Sequence, residues 1–278
     1  MPCSDRPPFA CRYETDAVPL QIHEPVGHFE YTVLLVLAGG ADAAITHRTY
    51  RLRRGSLLFI GRLESHAIRI QTTPYERYVA RLSLDMLLKS VPDTPLLSIF
   101  IRRPEDFRHL IQLDEPELER ILPVFSRLAQ ESPGQAPFAL SRCSSLLNLL
   151  LIELYRMAPQ AFPSWSNCTT QTAVVAAQQY MTRNFRRPLT LEEVAEHAFV
   201  SRHTLSLAFR QNVGMTYKDY LILLRITEAK RLLVTTDAPV SKIGELVGYS
   251  NVNNFIKIFR ERMHTTPLQY RLARGRPE

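Results

Sequence analysis

The 278-residue chain is predicted to be an α+β protein of two domains, a β-barrel with two following helices and then an all-α domain. Three observations support this prediction. Strand-like runs fill the first third of the chain, apolar residues at helical spacing follow, and one unit of sequence occurs twice near the C-terminus. With 45% hydrophobic and 22% charged residues, the chain can bury two ordinary cores.

The β-barrel is predicted over about residues 12–85. Its strand-like segments are 31–37, 48–53, 56–60, 66–70 and 77–82, with turns predicted at Gly39-Gly40, Gly55, Gly61 and Pro74. Short strands at this spacing are typical of an antiparallel sandwich or barrel. Helices are predicted within about 104–158, because Glu115–Gln130 and Phe138–Met157 carry apolar residues at helical spacing. These helices could close the barrel or form a dimer interface, and the sequence leaves both open.

Proline content and charge change at the same place. Segment 158–170 has two prolines and no helical period, so it is predicted to link domain 1–165 to domain 172–274. Residues 1–169 carry 18 Lys or Arg and 18 Asp or Glu, whereas residues 170–278 carry 16 and 9. The net charge of +7 therefore belongs to the C-terminal part, which indicates a polyanion partner or, more simply, a well-solvated basic surface.

An internal repeat dominates the C-terminal part, where residues 202–220 match residues 252–270 at a constant offset of 50. The matched pairs include Leu205 with Phe255, Phe209 with Phe259, Arg210 with Arg260, and Tyr220 with Tyr270. Capping residues precede each copy, which predicts two helix-turn-helix motifs, at 190–213 and 239–263. Between them, 217–234 is predicted to be one central helix of about 25 Å, which suits motifs spaced near one DNA turn.

The second helix of each motif, at 202–212 and 252–263, is predicted to have an apolar inner face and a polar outer face. In a major groove, Asn can pair with adenine, Arg and Lys with guanine or phosphate, and apolar side chains with the thymine methyl group. Leu207 and Ile256 are predicted to be exposed within polar faces, which a merely solvated surface does not explain. The residues predicted to bind DNA are Ser201, Arg202, His203, Ser206, Leu207, Arg210, Asn251, Asn253, Asn254, Ile256, Lys257 and Arg260.

Three blocks in this half resemble the AraC/XylS family of bacterial transcription regulators. The blocks are LTLEEVAEHAFVSRHTLSLAFRQNVGMTYKDYLILLR, ITEAKRLLVTTDAPVSKIGELVGYS and NNFIKIFRERMHTTPLQYR, within about residues 172–272. The resemblance implies a seven-helix domain in which a central helix joins the two helix-turn-helix motifs. It also implies binding to double-stranded promoter DNA, often as a homodimer, and frequently activation through contact with RNA polymerase.

The N-terminal half is similar, more loosely, to the cupin-like effector and dimerisation domain of such regulators. HRTYRLRRGSLLFI followed by RLESHAI fits the strand, Gly, strand and His order of that domain. His28 and His66 match positions at the mouth of its barrel, so the resemblance implies a small-molecule effector, which it does not identify. The candidate pocket residues are His23, His28, Tyr31, Arg48 and His66.

Three positions depart from the family pattern. Leu207 occupies a position that is commonly basic, Gly244 replaces the usual Ala, and His264 stands where Gly is usual after the recognition helix. We expect altered DNA contacts at the first position and a helix loosened by up to about 1 kcal/mol at the second. At the third we expect a His in the left-handed conformation, at some cost in strain.

No nucleophile–base pair, phosphate-binding Gly loop or paired acid–base signature occurs, so no catalytic residue, metal or cofactor is predicted. One alternative is a cupin-type metalloenzyme with an accessory basic domain, which would need a third convergent ligand. Another keeps the DNA-binding domain but makes the N-terminal domain a protein-interaction module without a small ligand. No segment reaches the roughly 18 apolar residues of a membrane span, and no secretory signal is evident. A cytoplasmic, nucleoid-associated protein with reduced cysteines is therefore expected.

Overall fold

In the computed structural model the chain divides into two compact units, Met1–Ser166 and Asn167–Glu278. The structure describes residues 7–18, 28–91, 94–102, 104, 106–131, 136–163 and 169–274. In the first unit the strands are β1 (Phe9–Asp16), β2 (Tyr31–Ile45), β3 (Arg48–Leu52), β4 (Ser56–Ile60), β5 (His66–Leu82) and β6 (Leu110–Gln112). Its helices are α1 (Leu84–Ser90), α2 (Thr94–Ile101), α3 (Glu115–Glu131) and α4 (Ala139–Met157).

The six strands form one antiparallel sheet in the order β1-β5-β2-β4-β6, with β3 also paired to β2. The predicted turns at Gly39-Gly40 and Pro74 are wrong, because these residues lie inside the two long strands β2 and β5. The β2–β5 ladder shifts its register between Val36 and Ala41, which bends the pair without ending it. Gly39 has φ +71°, and a Cβ there would lie 2.4 Å from the Pro74 carbonyl oxygen, so only glycine fits.

The helices of the first unit differ from the prediction in two places. Helices α1 and α2 follow the barrel directly and were not predicted, although Ser83 caps α1 by accepting from the Met86 N–H. Within the range predicted to be helical, β6 instead pairs with the edge of β4, Leu110 facing Leu58. Three residues are too few to show a strand period, so only the partner strand defines β6. Helices α3 and α4 lie where the sequence predicts them.

The second unit contains seven helices within residues 169–274, and this all-α fold confirms the prediction. They are α5 (Thr169–Asn184), α6 (Leu191–His197), α7 (Arg202–Val213), α8 (Tyr217–Thr235), α9 (Val240–Leu246), α10 (Val252–Met263) and α11 (Pro267–Arg274). Phe255 and Phe259 of α10 pack with Leu233 of the central helix α8 and Tyr270 of α11 in a buried core. Gly244 of α9 lets the Phe255 ring approach, since a Cβ would lie 3.0 Å from it.

The two described cysteines, Cys11 and Cys143, are buried, and the Cys11 thiol donates to the Phe125 carbonyl oxygen at 3.9 Å; Cys3 and Cys168 lie outside the described residues. Within the described part of the chain, no helix combines the length and apolar character that crossing a bilayer requires.

Candidate nucleic-acid interface and effector pocket

Helices α7 and α10 are equivalent position by position at the offset of 50. Each has 12 residues and begins after a capping residue. Ser201 accepts from the Thr204 N–H, and Asn251, one of two candidate caps with Ser250, accepts from the N–H groups of Asn253 and Asn254. Each ends at a left-handed residue, Gly214 at φ 75° and His264 at φ 55°. The same backbone frame therefore presents two different sets of side chains.

The outer face of α10 forms one side of an open cleft of about 510 Å³. Its lining residues are Asn253, Ile256, Lys257, Arg260, Glu261 and Thr266. Glu261 and Thr266 were not predicted, because a single helical wheel does not show where the next helix returns. Ile256 was predicted to be exposed, and this is wrong in part: its side chain is half-buried against the core beneath α10.

The outer face of α7 carries His203, Ser206, Leu207 and Arg210, all of them exposed. Leu207 exposes 52% of its surface and occupies the position equivalent to Lys257. Arg202, also predicted to bind DNA, forms an ion pair with Glu192 at 2.7 Å. The Oγ of Ser201 and the Oδ1 of Asn251 are already engaged in helix caps.

Many arginines of the basic unit support its fold instead of facing outward. Arg225 donates to the carbonyl oxygens of Phe185 and Arg187, and Arg271 donates to those of Leu233 and Ala238, at 2.6–3.2 Å. Arg186 and Arg231 surround the buried carboxylate of Glu228. Arg262 of α10 pairs with Asp219 of α8 at 2.5 Å.

Within residues 169–274, as far as the structure describes them, a small set of cations is exposed and outside any ion pair. The set comprises Arg210 on α7, Lys218 at the start of α8, and Lys257 and Arg260 on α10. Three of the four therefore lie on the outer faces of the two recognition helices. This arrangement places positive charge where a helix would enter a DNA groove.

His28, just before β2, and His66, the first residue of β5, lie together with their ring centroids 5.0 Å apart in an edge-to-face arrangement. The His28 Nδ1 donates to the Glu30 carbonyl oxygen at 2.9 Å, so its Nε2 accepts from the Thr32 hydroxyl at 3.3 Å. Burial, reinforced by the neighbouring His66, lowers the pKa of His28 to about 4. His28 is therefore a neutral hydrogen-bonding group at neutral pH.

A chain of polar contacts extends from this histidine pair. The Nδ1 of His66 donates to the Glu64 carbonyl oxygen at 3.0 Å, and the Glu64 Oε2 lies 3.4 Å from the His109 Nε2. The Nδ1 of His109 lies 2.9 Å from the Tyr50 hydroxyl. Glu64, Tyr50 and His109 were not predicted, because His109 is 43 residues from His66 in sequence and β3 brings Tyr50 to it.

The other predicted pocket residues have different places. Tyr31 is buried at the start of β2, edge-on to Phe100 of α2, and its role as a pocket residue stays a prediction. Arg48 donates to the Phe107 carbonyl oxygen at 2.7 Å, beside His109. His23 lies outside the described residues. Among the residues that are described, no group of three or more His, Cys, Asp or Glu has the geometry of a metal site.

Family comparisons agree with both units. Residues 10–150 match the model described as AraC-like ligand binding domain, and residues 194–273 match the model described as helix-turn-helix domain. The chain belongs to the AraC family of transcription regulators. Its AraC-type ligand-binding match covers the barrel with α3 and most of α4, and the second match covers the helices from α6 to α11.

Similar proteins extend over most of the chain. The HTH-type transcriptional activator RhaS of Pectobacterium carotovorum is 22% identical over 262 residues, covering 88% of this chain and 86% of that protein. The HTH-type transcriptional activator RhaR of Shigella dysenteriae is 23% identical over 264 residues, covering 92% and 89%. ToxT from Vibrio cholerae has a similar structure, with a TM-score of 0.61 at 10% identity over 96% of this chain and 98% of ToxT. At that identity, the likeness to ToxT concerns the fold alone.

Proposed function

We propose that this AraC-family protein is a transcription activator that binds promoter DNA through α7 and α10 and responds to a small molecule bound in its barrel. The observation that carries the proposal is the pair of equivalent recognition helices whose outer faces hold Arg210, Lys257 and Arg260. The activator role is supported by the names of the RhaS and RhaR relatives.

We propose that α7 and α10 enter successive major grooves on one side of the duplex. Helix α8, which joins the two motifs, has 19 residues and is therefore about 28 Å long. That length suits recognition helices separated by one DNA turn, about 34 Å. The ion pair between Asp219 of α8 and Arg262 of α10 would help to hold this spacing.

DNA binding is tested with a duplex selected from random sequence by the purified full-length protein. Lys257→Ala combined with Arg260→Ala should lower affinity about 100-fold in a gel shift, since each good base or phosphate contact contributes about 1–3 kcal/mol. Lys242→Ala is the matched control, because Lys242 is exposed on α9 and pairs with Glu245. Unchanged binding by the folded double variant would contradict the assigned face.

We propose that the effector occupies the barrel end where His28, Glu64, His66 and His109 meet. His109 is buried and the other three are half-buried, and such a concentration of polar side chains costs folding free energy, which a ligand site explains and a plain core does not. A thermal-shift screen of metabolites should find a compound that stabilises the full-length protein. The shift should disappear in His66→Ala and persist in His47→Ala, a control histidine exposed between β2 and β3.

If no compound raises the melting temperature of the full-length protein, and the protein still binds DNA, the barrel serves protein contacts instead. A second proposal, which does not depend on whether an effector binds, concerns assembly. We propose that the protein acts as a homodimer, supported by the exposed Leu149 on the side of α4 away from its buried residues, and that it contacts RNA polymerase. Sedimentation of the full-length protein and of Leu149→Glu tests the dimer. A cytoplasmic, nucleoid-associated location follows from genomic DNA being the partner.

A further inference from the structure

Leu207 differs from every neighbour on its face of the recognition helix. His203, Ser206 and Arg210 surround it, all polar and exposed, and Leu207 itself is 52% exposed. Scattered exposed leucines are common on protein surfaces and need no explanation. Leu207 is different because the offset of 50 equates it with Lys257, which lines the open cleft of α10.

The two recognition helices therefore carry the same residue at one position of the outer face and different residues at other positions. Arg210 and Arg260 are equivalent, exposed and outside any ion pair in the described residues. Three residues earlier on the same outer face, α7 has the alkyl side chain of Leu207 where α10 has the ammonium group of Lys257. A lysine can bind guanine or phosphate, but leucine has no hydrogen-bonding group for either.

Thymine alone among the four bases presents a methyl group in the major groove, at its C5 atom. A leucine placed against adenine, guanine or cytosine would remove their polar edges from water without replacing the lost hydrogen bonds. We infer that Leu207 reads a thymine methyl group in the half-site bound by α7. This inference rests on the proposed function, and it makes the two half-sites of the operator different in sequence.

Deoxyuridine provides the test, because it lacks the methyl group of thymine and keeps the same base pairing. In the selected duplex, the α7 half-site is assigned as the region where Arg210→Ala loses footprint protection. Each thymine of that half-site is replaced singly by deoxyuridine. Affinity of the full-length protein should fall about three- to tenfold at one position, the effect expected for losing one buried methyl contact.

Two variants separate the possible results. Leu207→Ala should bind more weakly than wild type and should be indifferent to deoxyuridine at that position. Lys257→Ala, the matched control on α10, should bind more weakly and keep the full deoxyuridine effect. Leu207→Ala responding to deoxyuridine as strongly as wild type would overturn the inference.

Failure of this inference is distinguishable from failure of the proposed function. If no deoxyuridine substitution weakens binding while the Lys257→Ala, Arg260→Ala double variant does, the chain binds DNA as proposed but Leu207 does not read thymine. If the double variant binds as well as wild type, the proposed interface itself is wrong.

Discussion

The carboxylate of Glu228 is fully buried and accepts hydrogen bonds from Arg186 at 2.8 Å and from Arg231 at 3.0 Å. Burial raises the pKa of this carboxyl, but the hydrogen bonds from the two arginines outweigh it and hold the pKa below its ordinary value. The charged form is thus stabilised in the folded protein. Because Arg186 follows α5 and Arg231 lies on α8, Glu228 connects two helices of the DNA-binding unit.

We expect Glu228→Gln to lower the free energy of unfolding at pH 7 by about 1–2 kcal/mol, since two charged donors lose their acceptor. A lowered pKa contributes stability above the ordinary Glu value of about 4.3 and loses it as pH falls through the folded value. The difference between variant and wild type should therefore shrink below about pH 4. Urea unfolding at pH 7 and pH 3.5 measures it, with Glu245→Gln, an exposed glutamate, as control.

His28 also destabilises the fold as pH falls, but in a higher pH range, because its folded pKa of about 4 lies below the ordinary histidine value of about 6.5. The unfolded chain takes up a proton first, so wild-type stability should fall as pH decreases between these two values. We expect His28→Gln, which cannot take up that proton, to show a flatter profile in urea unfolding from pH 7 to pH 5. His47→Gln, the control at an exposed site, should keep the wild-type profile. A profile of His28→Gln as steep as that of wild type would contradict the burial of His28.

Single helices and strands depend on glycine to different degrees. Gly39 and Gly214 have nearly the same φ, +71° and +75°, but the first meets the Pro74 carbonyl oxygen and the second has nothing within 4 Å. We expect Gly214→Ala to cost about 1 kcal/mol of stability, the conformational term alone. Gly39→Ala should cost about 3 kcal/mol or more, because overpacking adds to that term. Equal losses in thermal unfolding would show that the β2–β5 bend relaxes around the new methyl group.

Local signals were enough to predict the helices of the two motifs and the central helix, α6 to α10, but they did not locate α5 or α11. Thr190 caps α6, Ser201 caps α7 and Asn251 caps α10, each through contacts within three residues. The barrel was less predictable, because its decisive contacts are distant in sequence. Gly39 looks like a turn until Pro74 on the paired strand is placed opposite it, and β6 exists only through β4.

For the chain as a whole, the charge distribution indicated which unit could bind a polyanion or simply be well solvated, but not which residues would contact DNA. Arg225 and Arg271 add to the +7 while donating to backbone carbonyl oxygens. A sequence does not distinguish such an arginine from Arg260, because the difference lies in where neighbouring helices end. The repeat was more informative than the charge, since it identified equivalent surfaces directly.

The salt dependence of DNA binding should reflect which cations face outward and which support the fold. Each phosphate contact adds about 0.9 to the slope of log affinity against log salt. We expect a steep negative slope for the full-length protein and a slope reduced by up to about 2 in Lys257→Ala combined with Arg260→Ala. Lys242→Ala should keep the wild-type slope. A reduction in that control would mean that α9, as well as α10, approaches the phosphates.

The unlike residues at positions 207 and 257 have a consequence for promoters. A protein with two identical recognition helices could lie on a palindromic site in either of two orientations. With leucine on one helix and lysine on the other, the complex has a polarity, and the base sequence determines which end faces downstream. An activator that works from one side of a start site needs such a direction, and the unlike side chains at positions 207 and 257 contribute to it.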